Sequence, residues 1–378
     1  MKRPHRILIL IPASGIGGIA TGLLGVLKRI NRSRYHMIIV ALQNGPVVRL
    51  IRKSGFRCTV LLPSDRLFHL KRLIVREKIE LIQSCDAAAA EGILAARQLG
   101  LPHLYYAASN IERAFKGPSK KTLREFRNLI GVWSESIIVP SKALAKDVFF
   151  SMPKNKVHII PWGVENHIGH FSQSRKEMKF KNSTKSVGMA ANFYPAKGHL
   201  DFLKMASEIH KRMPEYKFVI AGSLLKHPVS VAYKKQVVRK IRRLKLEKIV
   251  QITKFSPHNR NEFFRRLDVL VIPSYEGMSQ AMLEAGINRI PIVAVHKGGV
   301  TEVIEHEKSG LLTPLGNPKK MAQMVMRALK TPRNSRRLGR EIRRRVLSSF
   351  TADQQSRKFE ELYKSVLAKT KINRLGAL

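Results

Sequence analysis

The chain has 378 residues, too many for one ordinary hydrophobic core and suited to two. Hydrophobic residues make up 44% and charged residues 25%, which is the composition of a folded protein and excludes a disordered one. Lys plus Arg number 70 against 26 Asp plus Glu, a net charge of +44 carried by both halves, so a basic tail on a neutral domain is excluded and the candidate partners are nucleic acid, an anionic membrane surface or a phosphorylated substrate.

At the amino end, MKRPHR leads into a charge-free stretch from Ile7 to Leu27, which has the outline of a targeting segment. Pro12 and five glycines interrupt it, and its dense apolar part, ILILIP, is only strand-sized, whereas a membrane span needs about 20 apolar residues. The stretch therefore reads as an uncleaved first strand with a Gly-rich turn. Strands follow at 36–42, 57–62, 80–83, 103–107, 136–139 and 157–160, alternating with helices at 18–30, 46–53, 66–78, 87–99, 119–132 and 141–149. Short connections between alternating strands and helices predict a parallel, doubly wound sheet.

The alternation lapses after Pro161. Residues 166–185 are polar and aperiodic and read as a linker. It restarts with strands at 186–191, 216–221, 249–253, 268–272, 291–295 and 311–313, and helices at 197–212, 229–246, 259–266, 278–287, 300–305, 318–330 and 333–347. A last amphipathic helix, 351–369, carries Phe359, Leu362, Tyr363 and Val366 on one face. The expected organisation is a first α/β domain over 1–165 with a crossover helix from 350–378 added to it, and a second α/β domain over 186–349. Ligands of such sheets bind at the carboxyl ends of the strands, so two such domains are expected to place the site in a cleft between them.

Cys58 and Cys85 have no metal-type spacing, which excludes a disulfide scaffold and a zinc ribbon and reads as two buried thiols. Four segments carry candidate chemistry. The first is PASGIGGIATG after strand one, where glycine permits a tight turn and close ligand approach. Its spacing is not the dinucleotide pattern, and Gln43 and Asn44 stand where a ribose-binding acid would end the next strand. The second is GMAANFYPAKG, with Lys197 expected at a helix start, where an ammonium and helix amides together could hold a diphosphate.

The third segment, VIPSYEGMSQAMLEAGI, is the most informative. A strand ends in Pro273-Ser274, Glu276 lies in the following loop, and Glu284 lies eight residues on, in a helix. Carboxylates there can accept sugar hydroxyls while the helix amides take negative charge. Two ordinary surface glutamates would give the same spacing. The fourth segment, PIVAVHKGGVTEVIEHEKSGLL, repeats the strand, Gly-turn and helix order.

Taken in order, PAKG, PSYEGMSQAMLEAG and PIVAV–GGVTEVIEHEKSGLL closely resemble the family-4 glycosyltransferases, retaining nucleotide-sugar-dependent enzymes of the GT-B fold. Their hallmark is two glutamates with seven residues between them after a Pro-Ser strand end, and Glu276 and Glu284 match it. IIVPSKALAKD and IIPWGVE resemble further family segments. The resemblance implies an α/β GT-B protein of two Rossmann-like doubly wound domains. It implies that Glu276 contacts the donor sugar at the reaction centre and that Lys197 holds the departing diphosphate. It assigns Glu284 to the ribose, Gly277, Met278 and Ser279 to the donor through their amides, and Lys254 and Phe255 to the base. Asn192 falls in the donor loop, and Gly17, Gly18, Ser109, Asn110 and Ser141 fall on the acceptor side. No cofactor and no metal are implied beyond the nucleoside-diphosphate sugar itself. A lipid-linked or envelope glycan is the implied acceptor, with the protein cytoplasmic and peripheral on the inner membrane face.

There are departures. Asn192 replaces the Arg usual five residues before the Lys, so one diphosphate partner is missing or comes from elsewhere. The position six residues after Pro102, where a His is usual, is Ala108, flanked by Ser109 and Asn110, and His103 reads as a strand residue. Trp162 and Glu165 replace the usual Asn and Asp. Three basic segments remain, 232–248, 333–345 and 113–127. Each reads as a solvated helix face, and 113–127 alternatively as a lipid-docking face with Phe115, Leu123 and Phe126 dipping into the interface. No nucleic-acid module or aromatic-interleaved basic stripe is present, which disfavours that partner. The alternatives to an enzyme are a non-catalytic nucleotide-binding scaffold of the same fold and a basic nucleic-acid-binding protein that shares it.

Overall fold

The computed structural model describes residues 3–12, 18–61, 64–107, 119–149, 152–166, 185–225, 228–255, 260–274 and 278–375. The chain divides into two compact units, Met1–Glu165 with Ala352–Leu378, and Asn166–Thr351.

The first unit is built on a seven-stranded sheet of parallel pairs in the order β3-β2-β1-β4-β5-β6-β7. The strands are β1 (His5–Ile11), β2 (Tyr35–Ala41), β3 (Cys58–Val60), β4 (Leu81–Cys85), β5 (His103–Tyr106), β6 (Ser136–Val139) and β7 (Val157–Ile159). The helices are α1 (Gly18–Leu27), α2 (Pro46–Lys53), α3 (Arg66–Arg76), α4 (Ala89–Gln98), α5 (Lys120–Trp133) and α6 (Lys142–Phe149). Strand β1 is continuously apolar because both of its faces are covered, and Ile7, Leu8, Ile9 and Leu10 have no exposed surface. Leu8 and Leu10 pack with Leu70 and Ile74 of α3 and with Ala95 and Ala96 of α4.

The last helix, α14 (Ala352–Leu375; α7 to α13 belong to the second unit), packs on the first unit. Tyr363 donates its hydroxyl to Gln83 Oε1 at 2.7 Å, and its ring meets Tyr35 edge-on at 5.8 Å. Gln355 Oε1 accepts the Gly163 N–H at 3.0 Å, and Arg29 reaches both Glu165 and Asp353. A Cβ on Gly25 would lie 3.4 Å from the Ala352 Cβ, so α1 and α14 approach closely there.

The second unit has a six-stranded sheet of parallel pairs, in the order β10-β9-β8-β11-β12-β13. Its strands are β8 (Ser186–Ala190), β9 (Lys217–Ala221), β10 (Val250–Thr253), β11 (Val269–Ile272), β12 (Ile292–Val295) and β13 (Leu311–Thr313). Its helices are α7 (His199–His210), α8 (Pro228–Arg243), α9 (Arg260–Arg265), α10 (Gln280–Ile287), α11 (Val300–Val303), α12 (Pro318–Leu329) and α13 (Pro332–Ser349). In both sheets the order reverses beside the first strand, between β1 and β4 and between β8 and β11. This is the doubly wound topology, and such reversals are where its ligands sit. Among the described residues no helix is long and apolar enough to cross a membrane.

Two readings of the basic segments change. Arg343 donates to the Ile287 carbonyl at the end of α10, and Arg345 donates to the Val303 and Glu302 carbonyls at the end of α11. These arginines satisfy helix-end carbonyls that have no partner within their own helix, so the 333–345 face is not merely solvated. In α5, Leu123 is buried and Phe126 packs edge-on to Tyr105 at 6.4 Å, so neither is available to dip into a lipid surface. Phe115 lies outside the described residues. Cys58 and Cys85 are both buried, and burial pushes the Cys58 thiol up to about 11.

Helix α4 lies against β4 and β5 through Gly92. A Cβ there would fall 1.8 Å from Ser84 Oγ and 3.3 Å from His103 Nε2. His103 joins Ser84 and Ser134 by hydrogen bonds of 3.0 Å each, and burial lowers its pKa to about 3, so it is a neutral strand histidine. Gly92→Ala gains about 1 kcal/mol of helix propensity. Crowding the serine–histidine chain costs about 1–3 kcal/mol and outweighs that gain. Both tryptophans, Trp133 and Trp162, lie in the first unit, so urea unfolding followed by tryptophan fluorescence reads this unit. The expected result is a lower midpoint for Gly92→Ala with an unchanged slope, and an equal or higher midpoint would show that α4 shifts freely.

Candidate active site

Strands β8 and β11 are paired neighbours, with Val187 opposite Val269, so the loops at their carboxyl ends emerge side by side. The loop after β8 passes Asn192 and Phe193, makes a 3-10 turn over Pro195–Lys197, and reaches Gly198 at φ 73°. A Cβ on Gly198 would stand 2.1 Å from the Pro273 carbonyl oxygen, which no side chain permits. Ser274 donates its hydroxyl to the Ala196 carbonyl at 3.2 Å, tying the end of β11 to the same turn.

Lys197 is half-buried in this turn, and α7 begins only at His199, after the left-handed Gly198. Its expected place at the helix start is therefore corrected. The lysine belongs to the turn, because the backbone reverses at Gly198 before the helix can form. The turn is pinned from both sides. Phe193 stacks on His199 at 4.9 Å, and His199 meets Tyr233 edge-on at 5.5 Å. Burial lowers the His199 pKa to about 4, so this ring packs as a neutral group.

After β11 the chain passes Pro273 and Ser274. Glu276 and Gly277 lie outside the described residues. Met278 and Ser279 are half-buried and lead directly into α10, with Ser279 extended at the helix cap position. Every residue of α10 is buried. Glu284 is therefore no surface glutamate. It is 6% exposed and its Oε1 receives Arg260 Nη1 at 2.5 Å. Burial raises the Glu284 carboxyl to about 7, and the charge and hydrogen bond of Arg260 oppose that rise. The Arg260 guanidinium also lies over the Phe255 ring at 5.1 Å. Phe255 is held edge-on by Phe263 and Phe264, and its carbonyl accepts from Ser223 Oγ at 3.0 Å. Its neighbour Lys254 is exposed.

The structure thus places Lys197, Ser274, Met278, Ser279 and Phe255 on the loops that follow β8, β10 and β11, and Glu284 inside α10, linked to Phe255 through Arg260. Sequence reasoning missed Arg260, since nothing in the chain singles it out among 70 basic residues. It also missed the Phe193–His199 stack, although an aromatic and a histidine flanking PAKG were visible.

In the first unit, Gly17, Ser109 and Asn110 lie outside the described residues. Gly18 is the first residue of α1. Ser141 is buried just past the end of β6, and its Oγ accepts the Leu144 N–H at 3.1 Å, so it caps α6. Asp86, beyond the end of β4 at the reversal of the first sheet, was not singled out by sequence. It is 5% exposed and holds a left-handed φ of 44°, a conformation that costs energy for a residue with a side chain.

Two family models match the chain, Glycosyltransferase Family 4 over residues 16–167 and Glycosyl transferases group 1 over residues 171–345. An uncharacterised glycosyltransferase of Methanocaldococcus jannaschii is 28% identical over 206 residues, covering 51% of this chain and 50% of that protein. The amylovoran biosynthesis glycosyltransferase AmsK of Erwinia amylovora is 30% identical over 90 residues, covering 22% of each. The chain thus spans half or less of the length of these curated relatives. The crystal structure of HepE from Anabaena, in complex with UDP and glucose, superposes with a TM-score of 0.84 at 18% identity, over 95% of this chain and 99% of that one. With the two models matching successive halves of the chain, and two Rossmann-like sheets in the matching arrangement of strands, this protein belongs to the group 1, family 4 glycosyltransferases of the GT-B fold.

Proposed function

We propose that the protein transfers a sugar from a nucleoside-diphosphate sugar to a hydroxyl of a lipid-linked or envelope glycan, with retention at the anomeric carbon. The observation that carries this reading is the convergence, at the reversal of the second sheet, of the Lys197 turn and the segment leading into buried Glu284. Lys197 and the amides of Gly277, Met278 and Ser279 take up the charge of the departing diphosphate, as preorganised donors do, and the proposal calls for no metal. Glu276 supports the positive charge that develops on the donor sugar. Glu284 accepts the ribose hydroxyls, and Arg260 favours its ionised form against the effect of burial. Phe255 and Lys254 lie by the base, and Asn192 lies along the diphosphate loop. Gly17, Gly18, Ser109, Asn110 and Ser141 are assigned to the acceptor. The Ser141 oxygen caps α6, and its hydroxyl proton remains a donor for the acceptor. The UDP and glucose in the HepE complex and the amylovoran biosynthesis assignment of AmsK support this donor class and a glycan acceptor.

The test is a thermal-shift panel of UDP- and GDP-sugars, since only a bound ligand raises stability by mass action, followed by transfer assays with the sugar that shifts Tm. Glu276→Ala is expected to lower kcat by orders of magnitude with the shift retained. Unchanged turnover would remove Glu276 from the catalytic role, and a nucleotide-sugar shift without transfer or hydrolysis in the native chain would favour a binding scaffold.

Glu284 makes the donor affinity depend on pH. With its carboxyl raised to about 7, it is the ionised, hydroxyl-accepting form above that pH and the protonated form below it. A nucleotide sugar, whose diphosphate diester does not titrate there, is expected to bind more weakly at pH 6 than at pH 8. Glu284→Gln should flatten this dependence, and Arg260→Leu should move it to higher pH by removing the opposing cation. Identical pH profiles in all three proteins would refute the ribose assignment.

The net charge of +44 supports a peripheral position on an anionic, cytoplasmic membrane face. Vesicles containing phosphatidylglycerol should sediment the protein at low salt and release it at high salt. Equal recovery with phosphatidylcholine alone would refute the membrane placement.

A further inference from the structure

At the amino-terminal ends of its strands, away from the carboxyl-end loops, the first unit holds a basic pocket of about 320 Å³. Its walls come from the turn before β2, the turn between α2 and β3, and the end of α3. Arg32, Arg57 and Arg76 line it together with His36, and Glu77 is its lining carboxylate. The buried Tyr35, Phe56 and Leu73 form its apolar side. Gly55, at φ 81°, turns the chain out of α2 and delivers Arg57 to the rim, and nothing lies within 4 Å of where its Cβ would be.

The charges in this pocket do not cancel. Glu77 meets Arg6 at 2.6 Å, Arg76 at 3.2 Å and Arg57 at 3.9 Å. Burial alone would raise its carboxyl, and the hydrogen bond from Arg76 with the charges of Arg6, Arg76 and Arg57 brings it below the usual range. One carboxylate is shared among three guanidiniums. Arg32 adds a fourth over the Phe56 ring at 4.8 Å, with no carboxylate partner among the described residues. Guanidiniums are the side chains whose planar donor forks match phosphate oxygens. The lining residues alone set three guanidiniums against one carboxylate, an excess that a phosphate monoester dianion would neutralise.

We propose that this pocket is a second ligand site, binding a phosphate group through Arg32, Arg57 and Arg76 at the opposite end of the sheet from the carboxyl-end loops. A water-soluble phosphoester and the headgroup of a phospholipid present the same chemistry. The lipid source has a structural reason to be tested, because α3, which supplies Arg76, exposes Phe68 (54%) and Val75 (64%) beside Arg72. The site is independent of the donor site, since no residue is shared between them.

The full chain is titrated with inorganic phosphate by calorimetry at constant ionic strength, and sedimented with vesicles of phosphatidic acid in phosphatidylcholine against phosphatidylcholine alone. The double variant Arg32→Gln, Arg57→Gln is compared with Arg239→Gln, Arg242→Gln, which removes the same charge from α8. The expected result is saturable binding of at least one probe, weakened about tenfold or more by the pocket pair and much less by the α8 pair. Binding of inorganic phosphate with no pocket-dependent binding of phosphatidic acid vesicles identifies a soluble phosphoester as the source, and pocket-dependent binding of those vesicles identifies the lipid headgroup. Binding of neither probe, or equal losses in the two double variants, overturns the site. The nucleotide-sugar thermal shift, read on the same variants, is expected to be unchanged, which separates this test from that of the transfer reaction.

Discussion

Everything at the candidate active site depends on one close approach, that of Gly198 to the Pro273 carbonyl. Strands β8 and β11 are adjacent because the sheet reverses its order between them, so their carboxyl-end loops must share one small space. A Cβ at position 198 would overlap the Pro273 oxygen at 2.1 Å, and φ there is 73°. Glycine alone meets both demands. Given that contact, Ser274 can reach the Ala196 carbonyl, the turn holding Lys197 is fixed, and α10 starts beside it. Topology decides which loops meet, and the glycine decides how closely.

The sheet order follows from what was readable along the chain. Strand-length apolar runs such as RILILI and DVLVI can be continuous only if covered on both faces, and helices between parallel strands do the covering. The place of Glu284 in a helix soon after β11 was also readable, because strand and helix follow each other in one local segment, whereas Glu276 lies outside the described residues. Arg260 was not readable. Its partner Glu284 is 24 residues away, and its meaning comes from a burial that only the folded sheet creates. Lys197 was misplaced for a local reason, since the left-handed turn at Gly198 delays the helix by two residues. Phe126 was misassigned because a 3.6-residue period cannot say which side of a helix meets the core when both sides carry apolar residues.

The charge divides along the same line. Part of it works within the fold, as when Arg343 and Arg345 satisfy the ends of α10 and α11, and when Arg97 covers the Trp133 ring at 4.0 Å. With 26 acidic residues against 70 basic ones, most of the remainder has no carboxylate to meet. A uniform excess acts on solubility and on non-specific attraction to anionic surfaces. Where guanidiniums are crowded about a single carboxylate, as around Glu77, the excess becomes local and acquires geometry. Specific anion recognition needs that convergence, which net charge alone does not supply.

The Arg260–Glu284 pair is best understood through its cost. Taking two charges out of water is expensive, and an apolar pair of similar volume would in general hold α10 and α9 together as well or better. Burial still raises the carboxyl to about 7 despite the arginine, so the pair is poorly placed as a stabilising device. It is well placed for recognition. A half-compensated carboxylate gains more from accepting a hydroxyl than one already saturated by hydrogen bonds, and the aromatic ring beneath Arg260 supports the guanidinium without supplying a competing acceptor. On the proposed ribose role, the second unit gives up stability at Glu284 to keep one buried acceptor available. Every residue of α10 around it is buried as well.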